Sequence, residues 1–396
     1  MTPFADFEAE IYQAGGAGAT PSLPMTSEGF ELAAARSMTP QSYAYVAGSA
    51  GLESTARANR VAFDGWETVP RHLRGIAQRD LSLELFGTRL PAPVLLAPIG
   101  ALCTIREGAE METARVAAET GVPMILSTLS SSPLEEVAAA LAAGPAGVGW
   151  FQLYWPTDRE LAASLVQRAD RAGYHALVVT IDTGSLAWRP RDLANGYLPF
   201  LTGQGLANYF SDPVFRARLS SPPERDPASA VALWSKIFSN PGLRWADLQW
   251  LRSQTSLPIL VKGVCHPDDA REAIAAGLDG IIVSNHGGRQ VDGARAALDC
   301  LPEVADASGN LTVLFDSGVR CGSDVLKALA LGAKAILLGR PYVFGLAVAG
   351  EDGLRHVLRC LLAELDLTVG LSGHASLADL GPGSVRRRAG GAPAAR

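Results

Sequence analysis

The chain has 396 residues, of which 48% are hydrophobic and 19% are charged, and its formal net charge is −6. The negative charge argues against a broad nucleic-acid interface, and apolar runs of about five residues are too short for a membrane-spanning helix. Residues 1–11 are acidic and lack the basic and then apolar order of a signal peptide, so we expect a cytoplasmic protein.

The predicted elements begin with a helical segment, residues 1–60, that we expect to pack on a central domain at residues 61–380. There, short β-branched or aliphatic runs alternate with alanine-rich stretches of helical period, a pattern typical of parallel strands with crossover helices. Two clear helices are Arg106–Glu119, which opens with acidic residues, and Ser323–Ala330, which Gly332 terminates. The eight predicted strands are Val94–Ala97, Pro123–Ser127, Val148–Leu153, Ala176–Ile181, Pro258–Lys262, Gly280–Val283, Thr312–Phe315 and Ala335–Leu338.

Eight successive strand and helix units predict an α/β fold, a (β/α)8 or TIM barrel. A doubly wound sheet is the alternative, but it normally uses fewer strands and carries a glycine fingerprint after the first of them. Neither that fingerprint nor a GxxxxGK[ST] phosphate loop occurs in the sequence. Binding of a nicotinamide dinucleotide or a nucleoside triphosphate by those devices is therefore not supported.

One connection interrupts this alternation, because residues 182–257, between the fourth and fifth strands, are rich in Pro, Ser, Trp and Phe. A connection of that length is usually either an active-site cover or a disordered insert. Its aromatic residues favour a cover, at about residues 184–243, that packs over part of its length. They are Tyr197, Phe200, Tyr209, Phe215, Trp234 and Phe238.

The cysteines and the end of the chain predict neither cross-links nor a metal site. Cys103, Cys265, Cys300, Cys321 and Cys360 lie far apart without a paired spacing, so we expect reduced residues in the core or in helices. Residues 381–396 combine the basic run Arg386–Arg388 with Gly, Ala and Pro, which predicts a disordered tail.

The most informative motif is SNHGGRQ at residues 284–290, directly after the predicted strand Gly280–Val283. His286 can accept a proton at neutral pH, and Arg289 can hold a carboxylate through two parallel hydrogen bonds. The two glycines between them permit a tight turn and a close approach of ligand. The pair suits oxidation of a 2-hydroxy acid. The alternative is a strand-ending turn whose histidine is satisfied by ordinary hydrogen bonds.

Active sites of such barrels lie at the carboxyl ends of the strands, and polar residues stand at seven of those eight ends here, the first strand ending instead in Pro98, Ile99 and Gly100. Glycines accompany arginines after the seventh and eighth strands, where such barrels commonly bind phosphate, so we expect a phosphorylated cofactor or substrate. Any single residue could instead cap the next helix. The candidates are Pro98, Ile99, Gly100, Ser127, Thr128, Gln152, Tyr154, Thr180, Asp182, Lys262, His286, Arg289, Asp316, Ser317, Gly318, Arg320, Gly339 and Arg340.

Longer motifs resemble the FMN-dependent 2-hydroxy acid oxidases and dehydrogenases over about residues 30–380, most closely the lactate 2-monooxygenase branch. They occur in the family's order and near its spacing. The motifs are YVAGSAG at 45–51, LAPIGA at 96–101, FQLYWPTDR at 151–159, IDTGSLAWRPRDL at 181–193, LPILVKGVCHPDDA at 257–270, IIVSNHGGRQ at 281–290, DSGVRCG at 316–322 and LGRPYVFGLA at 338–347.

The resemblance implies that His286 is the catalytic base and that Asp182 hydrogen-bonds it and favours the imidazolium formed after proton transfer. Lys262 would lie at the N1 and O2 edge of the flavin, where negative charge accumulates on reduction. The implied substrate-binding residues are Arg189 and Arg289, for the carboxylate, and Tyr45 and Tyr154, for its carboxylate or hydroxyl oxygens.

The same resemblance implies FMN as the cofactor. Ile99, Gly100, Ser127, Gln152 and Thr180 would line its isoalloxazine ring. The ribityl chain would contact Asp316, and the phosphate would contact Gly318, Arg320, Gly339 and Arg340. The implied cofactor set also includes Pro98, Lys262, Ser284 and Ser317.

Two positions depart from the family pattern. Leu129 stands where many members carry tryptophan, and Gly100 stands where simple oxidases have alanine. Beside the reactive flavin nitrogen, even a methyl group can alter oxygen access. The WRPRDL stretch at residues 188–193 and the long insert resemble the monooxygenase branch, and the N-terminal segment contains no haem-binding domain.

From these residues we expect an FMN enzyme that oxidises an (S)-2-hydroxy acid, lactate in the first instance, with dioxygen, and decarboxylates the product to acetate. The alternatives are an oxidase that releases 2-oxo acid and hydrogen peroxide, or a dehydrogenase with a quinone or other acceptor. Related flavin isomerases and an inactive flavin-binding scaffold are more distant alternatives. The resemblance suggests a homotetramer or homo-octamer, and we expect no nucleic-acid or membrane partner.

Overall fold

A computed structural model describes residues 3–388. It opens with four helices, α1 (Asp6–Gly16), α2 (Ser27–Ser37), α3 (Pro40–Ala47) and α4 (Ser54–Asp64). The side chains of Thr26 and Thr39 cap α2 and α3 by accepting backbone N–H donors of the first turn. The helical segment at the start of the chain therefore extends to Asp64 rather than ending at residue 60.

Eight parallel strands close into a barrel in chain order, and the last pairs with the first. Three short strands precede them, β1 (Trp66–Thr68), β2 (Leu83–Leu85) and β3 (Thr88–Leu90). The predicted (β/α)8 barrel is confirmed, and the bounds of its strands differ from the predicted ones by at most two residues. The barrel strands are β4 (Val94–Leu96), β5 (Met124–Ser127), β6 (Gly149–Leu153), β7 (Leu177–Thr180), β8 (Ile259–Val264), β9 (Gly280–Val283), β10 (Thr312–Phe315) and β11 (Ala335–Leu338).

The barrel strands read as continuous apolar runs because both of their faces are buried. Alternate residues such as Leu95, Val178 and Ile282 point into the barrel, and their neighbours pack against the surrounding helices. The hairpin of β2 and β3 contributes Phe86, whose ring centroid lies 5.7 Å from that of Trp150 in this interior cluster. The interior is therefore a packed core.

The first crossover helices are α5 (Ala109–Thr120), α6 (Leu134–Ala142) and α7 (Arg159–Arg171). The first of them begins later than the predicted Arg106, because Gly108 adopts the left-handed region at φ 73° and interrupts the helical path. This leaves residues 102–104 as a short 3₁₀ turn next to the end of β4.

The long insert after β7 is folded. It contains α8 (Pro190–Ala194), α9 (Ala207–Phe210), α10 (Pro213–Ala217) and α11 (Pro227–Ile237). Five of its six predicted packing aromatics are buried, each with at most 6% of its surface exposed, and only Tyr197 is partly exposed. Burial of such large side chains offsets the entropy of ordering a long connection.

The remaining helices complete the ring around the barrel. They are α12 (Trp245–Arg252), α13 (Pro267–Ala275), α14 (Ala297–Ala307), α15 (Gly322–Ala330) and α16 (Arg340–Leu371). Non-helical dihedrals at Ala349 and Gly350 break α16 near its first third. Within residues 3–388 no helix has both the length and the apolar character needed to cross a bilayer.

The prediction of a disordered tail from residue 381 is wrong for the part of the tail that the structure describes. Residues Val385–Arg387 form β12, which pairs antiparallel with β1. Glu67 on β1 forms ion pairs with Arg386 at 3.5 Å and Arg388 at 3.0 Å, and Val385 is buried. The basic run is thus ordered by a distant strand, and the predicted tail beyond residue 388 lies outside the described residues.

Candidate active site

A cavity opens at the carboxyl ends of the barrel strands, next to residues of the insert. The structure brings most of the sequence-predicted site residues to its wall, although they are spread over much of the chain. They are Tyr45, Pro98, Ile99, Gly100, Tyr154, Arg189, Lys262, His286, Arg289, Asp316, Ser317, Gly318, Arg320, Gly339 and Arg340.

Six predicted residues do not lie on this wall but contact residues around it, namely Ser127, Thr128, Gln152, Thr180, Asp182 and Ser284. The Ser127 hydroxyl donates to Gln152 Oε1 at 3.0 Å, and Gln152 Nε2 donates to Thr180 Oγ1 at 3.0 Å. This buried chain of hydrogen bonds joins the ends of β5, β6 and β7 and orients the amide of Gln152.

His286 and Asp182 form the central pair of the site. His286 Nδ1 lies 2.8 Å from Asp182 Oδ1, and the Thr183 hydroxyl donates to the same carboxylate oxygen at 3.0 Å. Burial alone would raise the pKa of Asp182, but His286, Lys262 and these hydrogen bonds lower that pKa to about 2. Asp182 is therefore a carboxylate throughout the physiological range.

Burial lowers the pKa of His286 below its ordinary value, and Asp182 offsets part of that effect by favouring the charged ring. The imidazole is consequently neutral at neutral pH. Because the ionised Asp182 can only accept, the Nδ1 atom carries the shared proton and Nε2 has a free lone pair. This is the state that a general base requires.

The backbone at His286 is held in a costly conformation. Its φ of 58° lies in the left-handed region, where a residue with a side chain is typically strained by about 1–3 kcal/mol. Two serines restrain the turn, since the Ser284 hydroxyl accepts from His286 N at 3.0 Å and the Ser317 hydroxyl accepts from Gly287 N at 3.0 Å. A strained backbone that surrounding hydrogen bonds hold in place is typical of functional sites.

Lys262, two residues before the end of β8, supplies a fixed cation next to the histidine loop. Its Nζ donates to Ser284 Oγ at 3.0 Å and lies 3.3 Å from Asp316 Oδ2. Burial would lower the pKa of Lys262, but the carboxylates of Asp316 and Asp182 raise it above its ordinary value. The ammonium is therefore charged although it is buried.

A row of four partly buried arginines lines the cavity. Arg189 Nε donates to the carbonyl of Arg289 at 3.1 Å, and Arg289 and Arg340 both donate to the carbonyl of Gly48, at 2.6 Å and 3.1 Å. Burial and then the neighbouring arginines lower the pKa of Arg289 to about 10 and that of Arg340 to about 9. Both effects work against the positive charge, so an anion in this cavity would be favourable.

The structure describes no carboxylate in an ion pair with Arg189, Arg289, Arg320 or Arg340 anywhere in residues 3–388. Their side chains donate instead to backbone carbonyls, to Gln290 and to Ser49. Buried charges are normally paired. This row therefore fits anionic ligands such as a phosphate and a carboxylate.

Two tyrosines add hydrogen-bond donors to the same cavity. The Tyr45 hydroxyl donates to the carbonyl of Gly100 at 3.3 Å, and the guanidinium of Arg289 lies 5.4 Å from the centre of its ring. Burial raises the pKa of Tyr45 to about 12 and also raises that of Tyr154. Both phenols therefore keep their protons and can donate to a bound carboxylate or alkoxide.

Comparison with known proteins agrees with this geometry. The FMN-dependent dehydrogenase family matches residues 34–387. The chain belongs to this family. It is 43% identical over 389 residues to an FMN-dependent alpha-hydroxy acid dehydrogenase of Penicillium citrinum, covering 97% of this chain and 96% of the relative.

Two further proteins are similar to this member of the FMN-dependent dehydrogenase family. An L-lactate oxidase of Alicycliphilus denitrificans is 44% identical over 356 residues, which cover 89% of this chain and 93% of the relative. The crystal structure of a mandelate oxidase superposes with a TM-score of 0.79 at 36% identity, covering 90% of this chain and 96% of that one. The predicted membership among FMN-dependent 2-hydroxy acid oxidoreductases is confirmed.

The cofactor is FMN, as predicted, and the residues at the ends of β10 and β11 fit it. A Cβ atom on Gly339 would meet nothing closer than Ala97 Cβ at 4.0 Å, so the glycine leaves room in front of Arg340. Gly318 has φ 98°, and a Cβ there would lie 2.7 Å from the carbonyl oxygen of Asn59. Arg320 and Arg340 would hold the single phosphate, and Lys262 would face the flavin edge.

The structure also brings in residues that sequence reasoning missed. Gln290 Nε2 donates to the carbonyl of Asp182 at 2.8 Å, and its Oε1 accepts from Arg189 Nη2 at 2.8 Å. Gln290 belongs to the SNHGGRQ motif and could have been suspected there. Thr183, beside Asp182, gave no such signal, and the aromatic content of the insert predicted packing without indicating that Phe200 and Phe238 reach the cavity.

Proposed function

We propose that this enzyme oxidises an (S)-2-hydroxy acid, lactate in the first instance, to the 2-oxo acid with dioxygen as the acceptor, and then decarboxylates the retained product. The observation that carries the proposal is the Asp182 and His286 pair beside Arg189 and Arg289, which have no acidic partner among residues 3–388. A base and a carboxylate clamp thus share one cavity. FMN supplies the two-electron redox chemistry when bound.

Different side chains have different roles in the oxidation. Arg189 and Arg289 hold the carboxylate, and the two phenols donate to substrate oxygens. His286 Nε2 takes the proton released by the hydroxy acid, and the negative charge of Asp182 stabilises the imidazolium that results. L-lactate oxidases at 41–44% identity and mandelate oxidase structures at 36–37% identity support this substrate class.

Retention of the product distinguishes the two possible outcomes. Lactate and dioxygen give pyruvate and hydrogen peroxide, and if both stay in the cavity they give acetate, carbon dioxide and water. Leu186, Phe200 and Phe238 of the insert lie on the cavity wall and support retention, because an apolar cover slows the escape of a charged product. Gly100 lies on the same wall, where a methyl group would press against Leu129 and displace the wall.

The alternative is release of the 2-oxo acid with hydrogen peroxide, or transfer of the electrons to another acceptor. The names of the relatives favour this alternative, since they include L-lactate oxidases and an alpha-hydroxy acid dehydrogenase. Both versions use the same binding residues and the same base. The oxidase differs in how long the product stays, and the dehydrogenase differs in its electron acceptor.

Anaerobic reduction of the flavin across a panel of 2-hydroxy acids, followed by product analysis in air, tests the proposal. We expect (S)-lactate to bleach the flavin and to yield one acetate per lactate with little free peroxide. Equal amounts of pyruvate and peroxide would refute the decarboxylation while leaving the oxidation intact. Failure of every 2-hydroxy acid to bleach the flavin would refute the proposed function as a whole.

Replacement of Gly100 by alanine is expected to shift the products from acetate towards pyruvate and peroxide. The new Cβ would lie 3.0 Å from Leu129 Cβ and 3.3 Å from its carbonyl oxygen, so the wall must move by a few tenths of an ångström and the space for trapped product shrinks. The ratio of acetate to pyruvate measures the effect. Gly242→Ala is the matched control, because a Cβ there meets only Asn240 Oδ1 at 3.8 Å; an equal shift in that variant would contradict the explanation.

A further inference from the structure

A second chamber, of about 230 Å³, lies beside the active-site cavity at the ends of β6 and β7. Its wall includes the apolar side chains of Trp155, Leu243, Trp245 and Leu248, together with the polar side chains of Asn240, Arg244 and Asp269. An apolar cavity of about 150 Å³ is large enough to bind benzene. The side chamber could therefore accept an aromatic ring or a short alkyl chain.

Among residues 3–388, three side chains belong to the walls of both the chamber and the active-site cavity, namely Tyr154, Thr183 and Phe238. Two of the three are restrained by the site itself. The backbone N–H of Tyr154 donates to Thr128 Oγ1 at 2.9 Å, and Thr183 donates to Asp182. Phe238 is the one of the three that comes from the insert, and it forms no hydrogen bond with Asp182 or His286.

The side chain of Phe238 packs against two aromatic rings. Its ring centroid lies 5.4 Å from that of Tyr154 and 4.8 Å from that of Trp234, and only 6% of the residue is exposed. Trp234 in turn packs on Phe200, which packs edge-on against Tyr45. A continuous arc of aromatic rings thus joins the two tyrosines of the site, and Phe238 is the member that separates the two spaces.

We propose that Phe238 determines which side chains of a 2-hydroxy acid the enzyme accepts, and that the chamber behind it is a subsite for a longer aliphatic or aromatic side chain. The inference rests on the proposed oxidation of 2-hydroxy acids. With Phe238 in place the substrate side chain is confined to the active-site cavity. Removal of the Phe238 ring joins the chamber to the active-site cavity on the apolar side. The additional methylene groups of a longer substrate side chain are then buried in the chamber and no longer collide with the ring.

The test compares (S)-2-hydroxyoctanoate with (S)-lactate. In Phe238→Ala, the ratio of kcat/KM for the octanoate to that for lactate is expected to rise at least about tenfold, within the range that methylene discrimination in apolar pockets allows. The double variant Phe238→Ala with Leu243→Phe refills the chamber and should reverse the gain. Phe200→Ala is the matched control, since it removes an equally buried ring from the cavity wall but does not border the chamber.

A binding measurement separates this inference from the proposed function. Perturbation of the visible flavin spectrum by 2-oxooctanoate and by pyruvate reports binding to the oxidised enzyme without turnover, and should show the same change in preference. If no 2-hydroxy acid reduces the wild-type flavin, the proposed function fails while this readout still tests the chamber. Should Phe238→Ala not retain FMN, Phe238→Leu replaces it, with a smaller expected shift in the same direction.

Three results would overturn the inference. They are an unchanged preference in a folded, FMN-loaded Phe238 variant, an equal gain in Phe200→Ala, and a gain that Leu243→Phe does not reverse. A change confined to the reaction with dioxygen would likewise overturn it, and would identify the chamber as a path for small neutral molecules.

Discussion

His286→Ala is expected to retain FMN and to lose turnover of the 2-hydroxy acid by at least about 10²- to 10⁴-fold, the range typical of a positioned general base. The imidazole is neutral, its Nδ1 proton is held by Asp182, and its Nε2 atom is free to accept the substrate proton. The arginines that fit the phosphate do not depend on the imidazole. Anaerobic stopped-flow reduction of the flavin, together with the flavin content of the purified variant, measures both halves of this expectation.

His175→Ala is the control for that experiment. His175 is exposed and lies just before β7, at the opposite end of the barrel from the cavity. The His175→Ala variant should reduce its flavin at the wild-type rate. Reduction of the His286 variant at the normal rate would remove the proposed base, and loss of FMN from that variant would show a structural role instead.

Asp182→Asn is expected to move the acid limb of the kcat/KM profile to lower pH and to lower its plateau by about 10²- to 10³-fold. Burial lowers the pKa of His286, and the charge of Asp182 raises it again, so loss of that charge lowers this pKa further. The plateau falls because the imidazolium loses its stabilising partner. A unit charge about 4 Å away contributes about 4 kcal/mol at an effective dielectric constant of about 20.

The pH dependence of kcat/KM from about pH 4 to 9 checks the sign of this effect. The acid limb of the wild-type profile should lie below the ordinary histidine pKa of 6.5, because burial lowers the pKa of His286 and only the protonated ring cannot accept the substrate proton. Thr183→Val is the matched control, since it removes a hydrogen bond to Asp182 but no charge. A shift of the limb to higher pH in Asp182→Asn would contradict the proposed role of the carboxylate.

The order of the eight strands was predictable because each strand is buried on both faces, and continuous apolar runs mark such strands without any knowledge of their partners. Given the barrel, the carboxyl ends of the strands must converge at one end of it. That rule was sufficient to place Lys262, His286, Asp316 and Arg340 in one candidate site from the sequence alone. Local pattern and one topological rule thus accounted for the fold and most of the cavity wall.

Contacts between distant segments could not be predicted in the same way from local pattern. Asp182 and His286 are 104 residues apart, and family resemblance, not spacing, indicated their pairing. Their shifted pKa values depend on burial and on Lys262, which only the assembled barrel supplies. The absence of an acidic partner for these arginines within residues 3–388 also depends on the whole surroundings, because one carboxylate at ion-pair distance would have neutralised their charge.

The sequence by itself determined the barrel, the FMN family and the residue types at the strand ends, since these follow from periodicity and from motifs within short windows. Only the tertiary structure decided that Phe238 separates two cavities, that Gln290 bridges Arg189 to the carbonyl of Asp182, and that Val385–Arg387 is ordered as a strand on β1. The physical reason is that each of these depends on which distant segments meet. A short window of sequence specifies its own conformation and burial, but its partners are set by how the whole chain closes around the core.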